Sequence, residues 1–390
     1  MKVALRNCGV FVAIVFFSVA NAATPEIFAP GVISGPANDA APTFAPDGRT
    51  VYFFRSNGTD YDLMVSLLHG TRWSEPQIAS FSGQWRDLEP SISPDGSFMV
   101  FASSRPADGG DRALDGMWSG TNHPGKGGNL WRVDRKGSGW SRPVRLPDAI
   151  NFTNSVFSPA VASDGSIYFM AATGEGGKFQ LYCSQFQNRA YQPAKPLSFS
   201  PGKFSDVDLT VAPDQSFIVF SSNRPPESQS LGLFIVYRKH GVWGEPVDLG
   251  SDVNSMGDII EAKLGPDGHT LYFANNFVVP PAYPKSASSA QEGLRNMQSW
   301  NNGLSNIWKI DLAPWLSTVH EPVIGNAADA LPKPGDEHAR TEAGIWAAED
   351  HWSLEATGDT AFLREFLLTN YRSVDAGGSG VHNREIFPKG

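Results

Sequence analysis

Short apolar runs preceded by tight polar turns recur along most of the chain, and they predict pairs of β-strands rather than helices. The clearest copy runs from Glu89 to Phe101 and reads as two strands folded about Pro94-Asp95-Gly96. Four more copies follow the same pattern. They are Ala41 to Phe54 about Pro46-Asp47-Gly48, Ser158 to Phe169 about Ser163-Asp164-Gly165, Asp208 to Phe220 about Pro213-Asp214-Gln215, and Glu261 to Phe273 about Pro266-Asp267-Gly268. Successive turn aspartates lie 48, 69, 50 and 53 positions apart, long enough for one four-stranded unit each. Self-similarity at this period marks a repeat architecture.

Each copy continues alike. An apolar third strand follows, as in Leu63-Met64-Val65, Leu130-Trp131-Arg132-Val133 and Leu233-Phe234-Ile235-Val236-Tyr237. An aromatic residue then precedes a proline, as in Trp73 with Pro76, Trp140 with Pro143, Tyr191 with Pro193 and Trp243 with Pro246. Proline lacks an N–H, which suits an outer edge strand. The fifth copy lacks this element, but Ile27 to Ile33 stands just before the first copy. That segment is expected to pair with the strand at Ile307 and close a ring. The reading is therefore all-β: a five-bladed β-propeller of four-stranded antiparallel blades, six-bladed if Trp315 to Ile324 contributes strands.

These repeats resemble the TolB-like propellers built from Pro-Asp-Gly (WD-repeat-like) blades, over roughly Ile27 to Leu312. The resemblance implies the fold. It does not settle the function, because propellers host lyases, peptidase lids and binding scaffolds alike.

Composition narrows the partners. A formal charge of −9 and no basic run argue against nucleic acid and anionic membranes. Residues 1–22 carry Lys2 and Arg6 ahead of an apolar run from Val10 to Val19, then Ala20-Asn21-Ala22, and read as a cleaved secretory signal. The run is too short to span a bilayer, so no membrane span is expected after its removal and the mature protein is expected to be periplasmic or secreted. Signal removal leaves Cys183 alone, so no internal disulfide is expected.

Two insertions break the period: Pro106 to Gly128 in the second blade and Phe277 to Ser305 in the fifth. Both join a second strand to a third. In a meander this connection shares one face with the blade-to-blade loops, opposite the Pro-Asp-Gly turns. The candidate binding face therefore collects Asp39, Asp87, Glu89, Asp206, Asp208, Asp258 and Glu261 ahead of or within the innermost strands, with Arg105 and Arg224 at second-strand ends. Trp118, His123 and Trp300 join them from the insertions. The alternative reading pairs Asp87 and Asp206 with Arg105 and Arg224 as structural ion pairs. The turn aspartates are read as structural, and Trp73, Trp140 and Trp243 as blade packing.

No Gly-x-Ser-x-Gly elbow, phosphate loop or His-Glu-x-x-His pair occurs, and the histidines lack metal-ligand spacing. No catalytic residue, metal ligand or cofactor is therefore assigned. After Leu312 a proline-punctuated linker (313–336) leads to 337–390, where Glu349-x-x-Trp352, Gly358-Asp359, Asp375-x-Gly377 and Arg384-Glu385-x-Phe387 resemble the start of a SnoaL-like (nuclear-transport-factor-like) cone domain. The resemblance implies a short, partial α+β fragment. The leading expectation is an exported, non-catalytic scaffold that binds a protein or glycan of the cell envelope through the insertion face. The alternatives are a polysaccharide lyase or glycan-cleaving propeller using a divalent cation, and a regulatory lid for a partner hydrolase.

Overall fold

The computed structural model describes residues 24–226 and 230–317, together with two short strands, Arg372–Val374 and Val381–Asn383, which pair antiparallel. The chain divides into two compact units, Met1–Ser317 and Thr318–Gly390. The expected signal segment, the linker beyond Ser317 and the helical part of the cone-domain fragment lie outside the described residues. The first unit is a five-bladed propeller. Its innermost strands are Asn38–Phe44, Asp87–Ile92, Val156–Val161, Asp206–Val211 and Ile260–Leu264. Each pairs antiparallel with a second strand: Thr50–Ser56, Phe98–Ser103, Ile167–Ala172, Phe217–Ser222 or Thr270–Asn275. Third strands follow at Tyr61–His69, Asn129–Lys136, Phe179–Ser184, Gly232–Lys239 and Asn306–Asp311.

The turns explain the repeat. Each turn aspartate accepts, through Oδ1, the N–H two residues on: Asp47 from Arg49, Asp95 from Ser97, Asp164 from Ser166, Asp214 from Ser216 and Asp267 from His269, all at 2.9–3.1 Å. The next residue lies in the left-handed region, which is why glycine stands there in four blades. In the fourth, Gln215 takes φ 62°. Its side chain accepts the Tyr168 hydroxyl and donates to Asp164, holding the third and fourth blades together.

The outer strands are short and broken, as proline requires. In the first blade Arg72–Trp73 and Gln77–Ile78 flank Pro76. The tryptophans bridge blades: the Trp140 indole donates to the Tyr52 hydroxyl at 2.9 Å, and Trp243 meets Tyr168 edge-on. Residues 313–317 form a short helix whose Trp315 and Leu316 pack on a core shared by the fourth and fifth blades, so 315–317 add no strand; the rest of the stretch expected to offer a sixth blade lies outside the described residues.

The ring closes as expected, with a shorter clasp. Glu26–Ile27 pairs antiparallel with Asn306–Asp311, Ile27 opposite Trp308. Phe28 N–H adds one bond to the Ile307 carbonyl at 2.8 Å. Beyond it the chain turns through Ala29 (φ 44°) and Gly31 (φ 81°), so the expected strand to Ile33 ends early. Phe28 is buried edge-on against Phe44, Trp73 and Tyr272, which come from the first and fifth blades. Phe28→Ala is expected to cost roughly 3 kcal/mol in urea unfolding, from lost burial and the cavity left behind. An unchanged midpoint would show that this seam contributes nothing.

Candidate functional site

Every innermost strand carries the same irregularity. The pairing slips between Ala40 and Thr43, Leu88 and Ser91, Phe157 and Ala160, Val207 and Thr210, and Ile260 and Lys263. The first bulged residue in each blade has positive φ: Ala41, Glu89, Ser158, Asp208 and Glu261, at 47–59°. Only side-chain residues occupy these positions, so each blade accepts strain that tertiary packing must offset. The five form one register, six residues before the turn aspartate. Three of them are acids.

The register brings these acids together. One carboxylate oxygen each from Glu89, Asp208 and Glu261 lies within 4.8 Å of the other two, although the strands belong to three different blades. All three residues are buried, at 4, 6 and 4% exposure. Glu89 Oε2 accepts the Ser158 N–H at 2.6 Å. Glu261 Oε2 is buried without any hydrogen-bond donor. Burial, reinforced by the Asp208 charge, pushes Glu89 up to about 7, while burial raises Asp208 to about 6. Burial first, then the charges of Asp208 and Glu89, holds Glu261 well above the usual carboxylate range.

A second ring lies two residues further along each strand, at Thr43, Ser91, Ala160, Thr210 and Lys263. Its hydroxyls fasten neighbouring blades: Thr43 Oγ1 accepts from Ile92 N–H, Ser91 Oγ from Val161 N–H and Thr210 Oγ1 from Leu264 N–H, at 3.0–3.3 Å. Lys263 instead sends its buried ammonium across to the third blade, where it donates to Ser158 Oγ at 3.4 Å and the Pro159 carbonyl at 3.3 Å. It is a buried cation beside three buried acids.

Above the acids a cavity of about 500 Å³ opens on the face that carries the insertions. Phe54, Tyr61, Met170, Phe179, Leu231 and Ile260 wall it, with Glu89, Asp208 and Glu261 among its lining. Ser305, at the end of the second insertion, borders it, as does Arg86, which stacks on Tyr61 and reaches the Lys126 carbonyl of the first insertion at 3.5 Å. A smaller cavity of about 240 Å³ lies at the Pro-Asp-Gly end and includes Lys263.

The remaining sequence candidates are held by partners. Asp39, Asp87 and Asp206 are fully buried and pair with Arg55, Arg105 and Arg224 at 2.6–2.9 Å. Ser82 and Ser103 also donate to Asp87, and Ser200 and Ser222 to Asp206. The arginines reach on to the Ile33, Phe81 and Phe199 carbonyls. Asp258 is exposed and accepts the Leu231 N–H at 2.8 Å. Trp118 and His123 face each other across the hairpin Gly116–Trp118 and Thr121–His123, rings parallel and 3.8 Å apart. Trp300 packs edge-on against Trp308.

Lys263, Ser158 and Arg86 escaped the sequence reading. For Ser158 and Lys263 the available signal was positional: counting six and four residues back from each turn aspartate aligns both rings, to neither of which Arg86 belongs.

Solved structures of like fold include TolB from Acinetobacter baumannii, at 15% identity and TM-score 0.40 over 70% of this chain and 54% of that one. This chain thus spans about half the length of that protein. A protein of unknown function from Dyadobacter fermentans DSM 18053 matches at 16% identity and TM-score 0.41, over 65% of this chain and 79% of that one. The PQQ-bound aldose sugar dehydrogenase from Streptomyces coelicolor matches at 13% and 0.38, over 73% and 82%. The likeness is one of fold. No family model and no curated protein matches the chain. Among the described residues no helix is long and apolar enough to cross a membrane.

Proposed function

We propose that this is an exported binding propeller without catalytic chemistry of its own, which captures a partner of the cell envelope through the insertion face. One observation carries the reading: the cavity on that face has apolar walls and includes three buried acids, with Ser305 of the second insertion at its edge and Arg86 linking it to Lys126 of the first. A concave, largely preformed apolar site with a few converging polar groups is what binding sites share.

Between protein and glycan, the rim favours protein. Phe277, Val278, Val279, Tyr283 and Leu304 of the second insertion are all exposed, Tyr283 at 78%. The neighbouring helix Ala287–Met297 has no buried residue. Exposed apolar clusters of this kind mark protein-binding surfaces.

The glycan-cleaving alternative draws on the same acids. Glycosidases that retain configuration hold their carboxyls about 5–5.5 Å apart, and inverting ones farther, so that a glycosidic bond fits between them. Here oxygens of all three acids converge within 4.8 Å at the cavity floor, which suits binding better than acid–base work on a polymer.

The test is capture from an envelope extract by wild type and by Val278→Asp with Tyr283→Asp. Both sites are exposed, so unfolding should shift by no more than about 0.5 kcal/mol. Loss of a specifically enriched protein in the double variant is the expected result. Identical capture by both proteins, or no enrichment by wild type, would remove the proposal.

A further inference from the structure

We propose that Glu89, Asp208 and Glu261 ligate one hard divalent cation, of the calcium, magnesium and manganese class, at the floor of the insertion-face cavity. The inference concerns the same cavity as the binding reading but needs no partner. Metal titration and partner capture can therefore fail separately.

The geometry comes first. Oxygens about 2.0–2.6 Å from a hard cation stand roughly 3–4.5 Å apart, which matches three donors that all lie within 4.8 Å of each other. The donors come from three blades, so the fold, and not local sequence, assembles the set. All are carboxylate oxygens, which selects against the soft and imidazole-seeking metals.

The second observation is Glu261 itself. The residue is 4% exposed, and its buried Oε2 meets no donor. A buried carboxylate without donors is costly, and proteins as a rule pair such groups or give them a metal. Glu89 already receives the Ser158 N–H on one oxygen.

Charge completes the argument. Three carboxylates face one ammonium, Lys263, which is turned toward Ser158 and Pro159 of the third blade. Arg86, at the border of the cavity, is a second cation that acts on Glu89, so the three acids still outnumber the two cations, and a bound cation would offset the excess. Ala41 occupies the corresponding position in the first blade and contributes no side-chain ligand. The cavity of about 500 Å³ above the acids admits the waters that would complete the coordination shell.

The competing arrangement is a shared proton, because Glu89 and Glu261 lie within side-chain hydrogen-bond reach of each other. Titration calorimetry of chelator-treated protein with calcium, magnesium and manganese chlorides at pH 7.5, together with thermal unfolding, separates the two. One ion per chain and a rise in Tm with at least one of the three is expected. Glu261→Gln should weaken binding by at least about 10- to 100-fold, the loss that even outer-shell partners of a metal bring. Asp208→Asn should act alike and covers the case in which one variant folds poorly. Exposed Glu75→Gln should bind as wild type does. Absence of heat and of any Tm shift with all three ions at millimolar concentration would overturn the inference. So would wild-type affinity in both Glu261→Gln and Asp208→Asn.

Discussion

In the presence of chelator, the protein is expected to lose stability as pH rises from 5 to 8, with Tm falling on the order of 5 °C. Glu89 is raised from the ordinary 4.5 to about 7 and Asp208 from 3.8 to about 6, both chiefly by burial. A carboxyl that holds its proton more tightly when folded stabilises the fold at low pH. For these two, the contribution is complete below about pH 4 and is lost as pH climbs through 6 to 7. Each displacement corresponds to roughly 3 kcal/mol, and because the acids share one site the contributions do not simply add. Glu261→Gln removes the acid that has no donor, so it should flatten the profile and raise Tm at pH 8. Circular dichroism melts across pH for wild type, Glu261→Gln and Glu75→Gln decide the matter. If the first two proteins give parallel profiles, the crowded acids do not govern the pH response.

Arg224→Ala is expected to cost roughly 3–5 kcal/mol, because it strands a fully buried carboxylate. Asp206 has no exposed surface and depends on Arg224 at 2.8 Å, with Ser200 and Ser222 completing its shell. Arg224 also donates to the Phe199 carbonyl and lies over the Phe220 ring, so it ties the second strand to the segment entering the fourth blade. The paired replacement Arg224→Met with Asp206→Leu should recover most of the loss, since removing both charges leaves none uncompensated. Urea unfolding of Arg224→Met, Asp206→Leu and the pair closes the cycle. A cost below about 1 kcal/mol for Arg224→Ala would mean that solvent reaches Asp206. The Arg55–Asp39 and Arg105–Asp87 pairs repeat the arrangement in the first and second blades.

These ion pairs show where one-dimensional reading divides. The recurrence of an acid before the innermost strand and an arginine after the second strand was plain in the chain. Whether those acids faced a ligand or each other's arginines was not, because Asp87 and Arg105 are 18 residues apart and meet only when two strands pair. Glu89 and Asp208 looked like members of the same group. They differ because the bulge at positive φ turns them toward the acids of other blades. The insertions were legible as loops, but the Trp118–His123 stack and the Trp300 contact needed coordinates.

From the chain alone came five blades with a sixth left open, the turn chemistry, the ring closure and the shared face of the two insertions. All follow from local signals: a period, an aspartate that caps its own turn, and the strict alternation of strand direction in a meander. Tertiary structure alone decided which buried charges are paired and which converge. The pairs form when two strands of one blade meet, 16 to 18 residues apart, whereas the converging acids come from separate blades, which the ring brings within a few ångströms although 53 or more positions separate them along the chain.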